Sequence, residues 1–265
     1  MRIGVTGATG RMGREVREEA AERGVEVAFA TTRNPGSDLD PASEFASLVA
    51  AENPDAVVDF TVPEASVEYV TACAAAGVPI VVGTTGFDDN QLDALRDAGS
   101  DAPVLLGANF SRGIQALLDV VEQAVGSLPE YDVEVTETHH NGKRDAPSGT
   151  ANVLLDRIER AAERSEAAER GAGSAATGDS GESERVHGRV GDQPREDGEI
   201  GVHARRAGDV TGEHEALLAG NDEVLELTHR AGDRSVFAAG ALDAAAWLAD
   251  QPAQFYRFEE VASEL

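Results

Sequence analysis

Lysine is nearly missing from this 265-residue chain, cysteine occurs once, and 22 basic residues face 49 acidic ones. Each scarcity excludes something. The single cysteine, Cys73, rules out an internal disulfide and any metal site built from several thiolates. The longest apolar runs, such as Ala56-Val57-Val58 and Pro103-Val104-Leu105-Leu106, fall far short of the roughly 20 residues that span a bilayer. No basic start leads into an apolar stretch, so no secretory signal is expected and the expected location is the cytoplasm.

The shortage of positive charge leaves a net charge of −27, a field that repels nucleic acid and anionic membranes, and neither is expected as a partner. An acidic disordered chain would lack apolar blocks, whereas the 41% hydrophobic content here recurs in regular blocks. The expectation is a folded protein adapted to molar salt, where screening shrinks to about 3 Å and acidic self-repulsion is suppressed. Lys143 is the only lysine, the other 21 of the 22 basic residues being arginine. A chain that uses lysine nowhere else points to a need for an ammonium at that position.

What is present is a regular alternation. Arg2 to Thr6 reads as a strand, Arg11 to Arg23 as a helix, Val25 to Ala30 as a second strand and Ala56 to Phe60 as another. Thr61-Val62-Pro63-Glu64 has capping-box spacing at the start of a helix that ends near Gly77. Pro79 to Val82 and Pro103 to Leu106 are further strands, separated by a helix opening at Asp88 to Gln91. Such βαβ units imply an α/β fold with an N-terminal Rossmann-type parallel sheet.

After Asn109 the pattern changes to a helix from Gly113 to Gly126, a strand from Tyr131 to Thr138 and a long helix from Ser148 to about Arg170. Strands are expected at Val202 to Arg206, Glu213 to Leu218, Val224 to Thr228 and Val236 to Ala238. This predicts a second α+β domain with an open mixed sheet. The expected division is 1–110, 111–238 and a return of 239–265 to the first domain, with 165–199 as a mobile acidic loop.

Gly7-Ala8-Thr9-Gly10-Arg11-Met12-Gly13 follows the first strand and opens the first helix. Glycine lets the backbone approach a pyrophosphate, and the helix N-terminus supplies N–H groups and a positive dipole end. The spacing is G-x-x-G-x-x-G, so the turn points to a dinucleotide through its place in a βαβ unit rather than through the motif alone. After the second strand comes Thr31-Thr32-Arg33, with no acidic residue for an NAD ribose. Arg33 suits the 2′-phosphate of NADPH, which is favoured, with NADH still usable; the plain alternative is a surface arginine. Gly83-Thr84-Thr85-Gly86 and Gly107-Ala108-Asn109-Phe110-Ser111 end later strands, where a doubly wound sheet binds its ligand.

The segment Glu137-Thr138-His139-His140-Asn141-Gly142-Lys143-Arg144-Asp145-Ala146-Pro147-Ser148-Gly149-Thr150 gathers cationic groups in a very acidic chain. It suits an anionic substrate, with the helix start at Gly149 and Thr150 ready for a carboxylate. A metal is the rival use of two histidines, but no carboxylate and cysteine set completes a site.

Together, the glycine turn, Asp59-Phe60-Thr61, Gly83 to Phe87, Ala108 to Ser111, the His139-His140 to Thr150 segment, Arg206-Ala207-Gly208 and Gly212-Glu213-His214 resemble the dihydrodipicolinate reductase family, in family order over almost the whole chain. The resemblance implies reduction of a cyclic imine dicarboxylate, 4-hydroxy-tetrahydrodipicolinate (dihydrodipicolinate), to tetrahydrodipicolinate on the diaminopimelate route to lysine, by a homotetramer. It implies His139 as proton donor, Lys143 in catalysis and substrate binding, and His140, Gly149 and Thr150 as substrate contacts. It places the cofactor on Gly7, Ala8, Thr9, Gly10, Arg11, Met12, Arg33, Gly83, Thr84, Thr85, Gly107, Ala108, Asn109 and Phe110. Two departures stand out: Thr32 replaces an acidic residue common in the family, and 165–199 is long. The rival readings are a semialdehyde dehydrogenase, which needs a nucleophilic cysteine, and a non-catalytic NADP(H) sensor.

Overall fold

In the computed structural model, which describes residues 1–36, 38–170 and 184–265, the β-branched runs form strands and the amphipathic stretches form helices. In chain order they are β1 (Arg2–Thr6), α1 (Arg11–Glu22), β2 (Glu26–Thr32), β3 (Asp40–Pro41), α2 (Phe45–Glu52), β4 (Ala56–Asp59), α3 (Pro63–Ala76), β5 (Ile80–Val82), α4 (Asp89–Ala98) and β6 (Val104–Leu106). There follow α5 (Arg112–Ser127), β7 (Asp132–His139), α6 (Gly149–Arg170), β8 (Arg185–His187), β9 (Ile200–Arg206), β10 (Gly212–Gly220) and β11 (Glu223–Ala231). The chain ends with α7 (Ser235–Leu248), β12 (Phe255–Arg257) and α8 (Phe258–Val261). Two units result: Met1–Arg112 with Asp233–Leu265, and Gly113–Gly232.

In the first unit seven strands run in the order β12-β6-β5-β4-β1-β2-β3, every neighbouring pair parallel. The direction of winding reverses between β1 and β4, whose last residues, Thr6 and Asp59, are register partners. Ligands of such sheets bind beyond the carboxyl ends at that point. Helix α1 buries Gly13, Val16 and Ala20, one face at helical spacing. Helix α4 opens with the capping box of Asp88 and Gln91.

Two expectations for this unit are corrected. Thr61 makes no capping box: Val62 is the N-cap of α3 without a side-chain cap, and the Thr61 hydroxyl donates to Asp59 at 2.7 Å. A buried carboxylate is the stronger acceptor. Val236 to Ala238 is not a strand but the first turn of α7, whose alanine-rich sequence favours helix. Ala238, Ala241, Leu242 and Ala245 of that helix pack with Ile3, Val5, Val58, Val81 and Leu105 of the sheet.

The second unit holds a mixed sheet in the order β11-β10-β7-β9-β8, antiparallel from β11 to β7 and parallel from β7 to β8. Val133 and Val135 of β7 join Ala216 and Leu218 of β10 against Ile114, Leu118 and Val121 of α5 and Leu154, Leu155 and Ile158 of α6. Strand alternation carries that same face onward to Glu137 and His139.

The 165–199 loop is corrected in part. Its beginning is the end of α6, and its last residues include β8, held to β9 in parallel register. Arg185 ties β8 to Asp156 and Glu159 of α6, each at 2.6 Å, and Arg195 bridges Asp132 at 2.8 Å and Glu134 at 2.5 Å. These charged pairs hide the strand from an apolar-pattern reading, since Val186 is its one apolar residue. The expectation for 171–183 lies outside the described residues. Among the described residues no helix is long and apolar enough to cross a membrane.

Candidate functional site

The glycine turn of the first unit is as tight as its sequence implies. Gly7 adopts φ +63°, and a Cβ there would stand 2.6 Å from the Phe60 carbonyl oxygen. A Cβ on Gly13 would stand 2.2 Å from the Gly7 carbonyl oxygen, so the helix start presses onto the turn. The Ala8 N–H donates to the Thr31 carbonyl at 3.0 Å, tying the turn to the end of β2. Thr9 and Thr32 share a hydroxyl hydrogen bond of 2.8 Å.

A cavity of about 270 Å³ opens here, lined by Gly7, Thr9, Gly10, Thr32, Arg33 and the Phe60 to Val62 segment, with Ala65 and Tyr69. Among the described residues no carboxylate lines it, and Arg33 is exposed at its rim. The residues therefore fit a phosphorylated nucleotide: backbone can approach closely, and the one charged side chain is a cation. Ala8 is buried, Arg11 is exposed and Met12 half-buried, and none of the three lines the cavity. Neither do Gly83, Thr84 and Thr85 or Gly107, Ala108, Asn109 and Phe110. Phe110 is core, packed against Phe60 and Phe258, and Gly83 meets the face of Phe60.

Beneath the turn lies Asp59, wholly buried at the end of β4. Hydroxyls of Thr6 at 2.5 Å, Thr61 at 2.7 Å and Thr84 at 3.1 Å, with that of Ser66, donate to it. Burial raises its pKa, and these four neutral donors offset that only partly. One carboxylate thus joins the ends of β1, β4 and β5 and the first turn of α3.

The second unit holds the reactive segment. Glu137 is wholly buried. Arg206 donates to it with a two-pronged fork, Nη1 to Oε2 at 2.8 Å and Nη2 to Oε1 at 2.7 Å. His139 Nδ1 lies 2.6 Å from Oε2, and the Ser148 N–H donates to Oε1 at 3.1 Å. Burial alone would raise Glu137, but Arg206 and His139 prevail and hold its carboxyl below the usual range.

His139 is buried, and burial lowers its pKa; Glu137 opposes this, while Lys143 and Arg206 push it further down. Its ring meets that of His214 edge to face, with centroids 5.2 Å apart. Burial, with the neighbouring His139, presses His214 down to about 4. Ser148 caps α6, accepting the Ala151 N–H at 3.2 Å, and its hydroxyl lies 3.2 Å from His214 Nε2.

Lys143 stands half-buried, its N–H donating to the His140 carbonyl at 3.1 Å and its Nζ 3.0 Å from Asp145. Arg206 also donates to the Asp145 carbonyl at 2.5 Å, so one guanidinium braces both the strand and the loop. His140 is half-buried, and Gly149 and Thr150 form the opening turn of α6, exposed and half-buried. The unit therefore brings His139, His140, Lys143 and a helix N-terminus together: an imidazole able to exchange a proton, beside cationic groups suited to carboxylates.

Sequence reasoning saw no carboxylate serving the histidines and gave no role to Glu137, Arg206, His214 or Asp59. Glu137 was within reach, since a residue two before His139 on a strand shares its face. Arg206 was not, because its pairing with His139 comes from β7 and β9 being neighbours. Cys73, the nucleophile a semialdehyde dehydrogenase would need, is buried in α3, where burial pushes its thiol up.

Comparison with known proteins bears on both units. A family model described as "Dihydrodipicolinate reductase, N-terminus" matches residues 1–110, and one described as "Dihydrodipicolinate reductase, C-terminus" matches 113–262. A 4-hydroxy-tetrahydrodipicolinate reductase of Natronomonas pharaonis is 56% identical over 263 residues, covering 98% of this chain and 99% of its own. One from Haloarcula marismortui is 49% identical over 263 residues, with 98% of each chain covered. Among solved structures, the dipicolinate-bound dihydrodipicolinate reductase of Paenisporosarcina sp. TG-14 superposes with a TM-score of 0.77 at 23% identity, covering 98% of this chain and 99% of that one, and shares the fold.

Proposed function

The chain belongs to the dihydrodipicolinate reductase family, and from that premise we propose that it reduces 4-hydroxy-tetrahydrodipicolinate to tetrahydrodipicolinate on the diaminopimelate route to lysine, with NADPH as the preferred donor. The observation that carries the chemistry is the Arg206–Glu137–His139 chain of hydrogen bonds beside Lys143. The substrate is a cyclic imine dicarboxylate. Once its hydroxyl has left as water, the reaction adds one hydride and one proton to the conjugated ring.

A bound nicotinamide supplies the hydride. Gly7, Thr9 and Gly10 hold the dinucleotide, and Arg33 takes the 2′-phosphate at the rim of the cavity. Ala8, Arg11 and Met12 belong to the same turn, and the 83–85 and 107–110 turns complete the cofactor surface at the ends of β5 and β6.

His139 gives the proton. Lys143 holds an ammonium against the charge that develops as hydride arrives, and also binds a carboxylate. His140 and the opening turn of α6 at Gly149 and Thr150 orient the second carboxylate through donors and the helix dipole. The reading carries with it a cytoplasmic homotetramer working in molar salt, in keeping with the −27 charge and the halophilic relatives.

The test is oxidation of NADPH and of NADH with freshly generated dihydrodipicolinate, from low to molar KCl, with light scattering on the same samples. Turnover with that substrate, faster with NADPH and sustained in molar KCl, is expected. Tight cofactor binding without turnover in high salt would favour the sensor reading instead.

A further inference from the structure

A buried carboxylate that already holds an arginine fork has no structural need of a histidine as well. Glu137 nonetheless accepts from both, and the geometry leaves it little freedom. Arg206 grips both oxygens, the Ser148 N–H takes Oε1, and His139 Nδ1 takes Oε2. An ionised carboxylate only accepts, so the hydrogen between Oε2 and Nδ1 must sit on Nδ1.

That leaves the other nitrogen. His139 Nε2 lies over Gly212, where a Cβ would stand 3.2 Å away, so the residue of β10 directly beneath it has no side chain to cover it. We propose that Glu137 is a positioning residue that fixes the tautomer of His139, holding the hydrogen on Nδ1 so that Nε2 is the atom that takes up and hands over the proton. This rests on the reading of His139 as proton donor. In the resting ring Nε2 bears a lone pair. It gains a proton from solvent to give an imidazolium that Glu137 stabilises. When the hydride-reduced substrate presents its electron pair, the Nε2–H bond breaks as the new bond to substrate forms. The N–H electron pair stays on Nε2, and the neutral Nδ1–H ring is restored.

Glu137→Gln tests the assignment because an amide has one acceptor and one donor end. Its NH2 at the Oε1 position would oppose two fixed donors, Arg206 Nη2 and the Ser148 N–H. At the Oε2 position it opposes only Arg206 Nη1, since His139 can yield by moving its hydrogen to Nε2. The substitution should therefore reverse the tautomer. Long-range ¹H–¹⁵N NMR of the ¹⁵N-histidine-labelled full chain at neutral pH in molar KCl, with His139→Gln to assign the signal, reads this directly.

The expected result is Nδ1–H in the wild type and Nε2–H in Glu137→Gln, with kcat down about 100-fold and cofactor affinity unchanged. An Nε2–H ring in the wild type, or an Nδ1–H ring that persists in the variant, overturns the proposal. If Glu137→Gln does not fold, Arg206→Lys keeps the carboxylate beside Nδ1 and is expected to retain Nδ1–H; Nε2–H there also overturns it. The NMR signal needs no turnover, so an inactive wild type with Nδ1–H would sink the functional reading and uphold the tautomer assignment.

Discussion

Among the described residues two carboxylates are wholly buried, Asp59 in the first unit and Glu137 in the second, and they are satisfied in opposite ways. Asp59 accepts from four neutral hydroxyls, and burial still raises its pKa. Glu137 accepts from a guanidinium, an imidazole and one backbone N–H, and its pKa falls. The hydroxyls of Asp59 belong to the ends of strands and the start of a helix, so that carboxylate joins backbone segments under the nucleotide turn. The partners of Glu137 are themselves charged or chargeable, so that one sets the protonation of a reactive ring. Burial alone does not give a buried acid its role; its donors do.

The largest effect separates the two directly. Glu137→Gln leaves the half-buried Arg206 guanidinium without the wholly buried counter-ion it grips and should cost about 3 kcal/mol of stability near neutral pH. Asp59→Asn keeps an acceptor of the same size among hydroxyls that can rotate, and should cost about 1 kcal/mol or less. The pH signs are opposite. Glu137, with its pKa lowered, stabilises above the usual carboxylate range, and that stability is lost as pH falls through its folded value. Asp59, with its pKa raised, contributes below its unfolded value and loses that contribution as pH rises through its folded one. Denaturant unfolding of both variants in molar KCl checks this, and equal losses at neutral pH would break the comparison.

A second expectation concerns the uncharged member of the Glu137 side. His214 is held neutral, since burial presses its pKa from the ordinary 6.5 down to about 4. Its contribution is complete above the unfolded value and is lost as pH falls from 6.5 toward 4, amounting to about 3 kcal/mol at most. His214→Gln should flatten the stability profile across that window. If wild type and variant fall in parallel, the acid sensitivity belongs to other groups.

Neither side of this contrast was legible in the sequence, although much of the fold around it was. The parallel sheet could be read because β1, β4, β5 and β6 are short apolar runs separated by helix-length stretches. His139, Lys143 and the start of α6 lie within one segment of twelve residues, His139 to Thr150, so their proximity needed no fold. Arg206 needed one, since only β7 lying beside β9 brings it to Glu137. Asp59 was visible as a motif but not as a hub, because its donors come from positions 6, 61, 66 and 84. Strand β8 was missed because arginine pairs, not apolar alternation, hold it, and the first turn of α7 was misread because Val236-Phe237-Ala238 satisfies either pattern alone.

The third expectation moves from stability to rate. Lys143→Ala should lower kcat by about 100-fold while leaving the unfolding midpoint near that of the wild type, because its partner Asp145 is exposed. Asp59→Asn should do the reverse in kind, raising the KM for cofactor more than it lowers kcat. Steady-state kinetics with each substrate varied distinguishes them, and normal turnover by Lys143→Ala would remove it from the reaction.

The smallest effect belongs to the most exposed residue. Arg33 lines the nucleotide cavity without a carboxylate neighbour in that lining, and it packs into no core. Arg33→Ser should raise the KM for NADPH about tenfold, a loss of roughly 1.4 kcal/mol, and leave NADH, kcat and stability unchanged. Salt sharpens the test. At 1 M the screening length is about 3 Å, so the arginine can act on a 2′-phosphate only in direct contact, not through a long-range field. A preference for NADPH that persists in molar KCl and vanishes in Arg33→Ser therefore identifies a contact. A preference that survives the substitution transfers the selection to Thr9 and Thr32, whose paired hydroxyls line the same cavity.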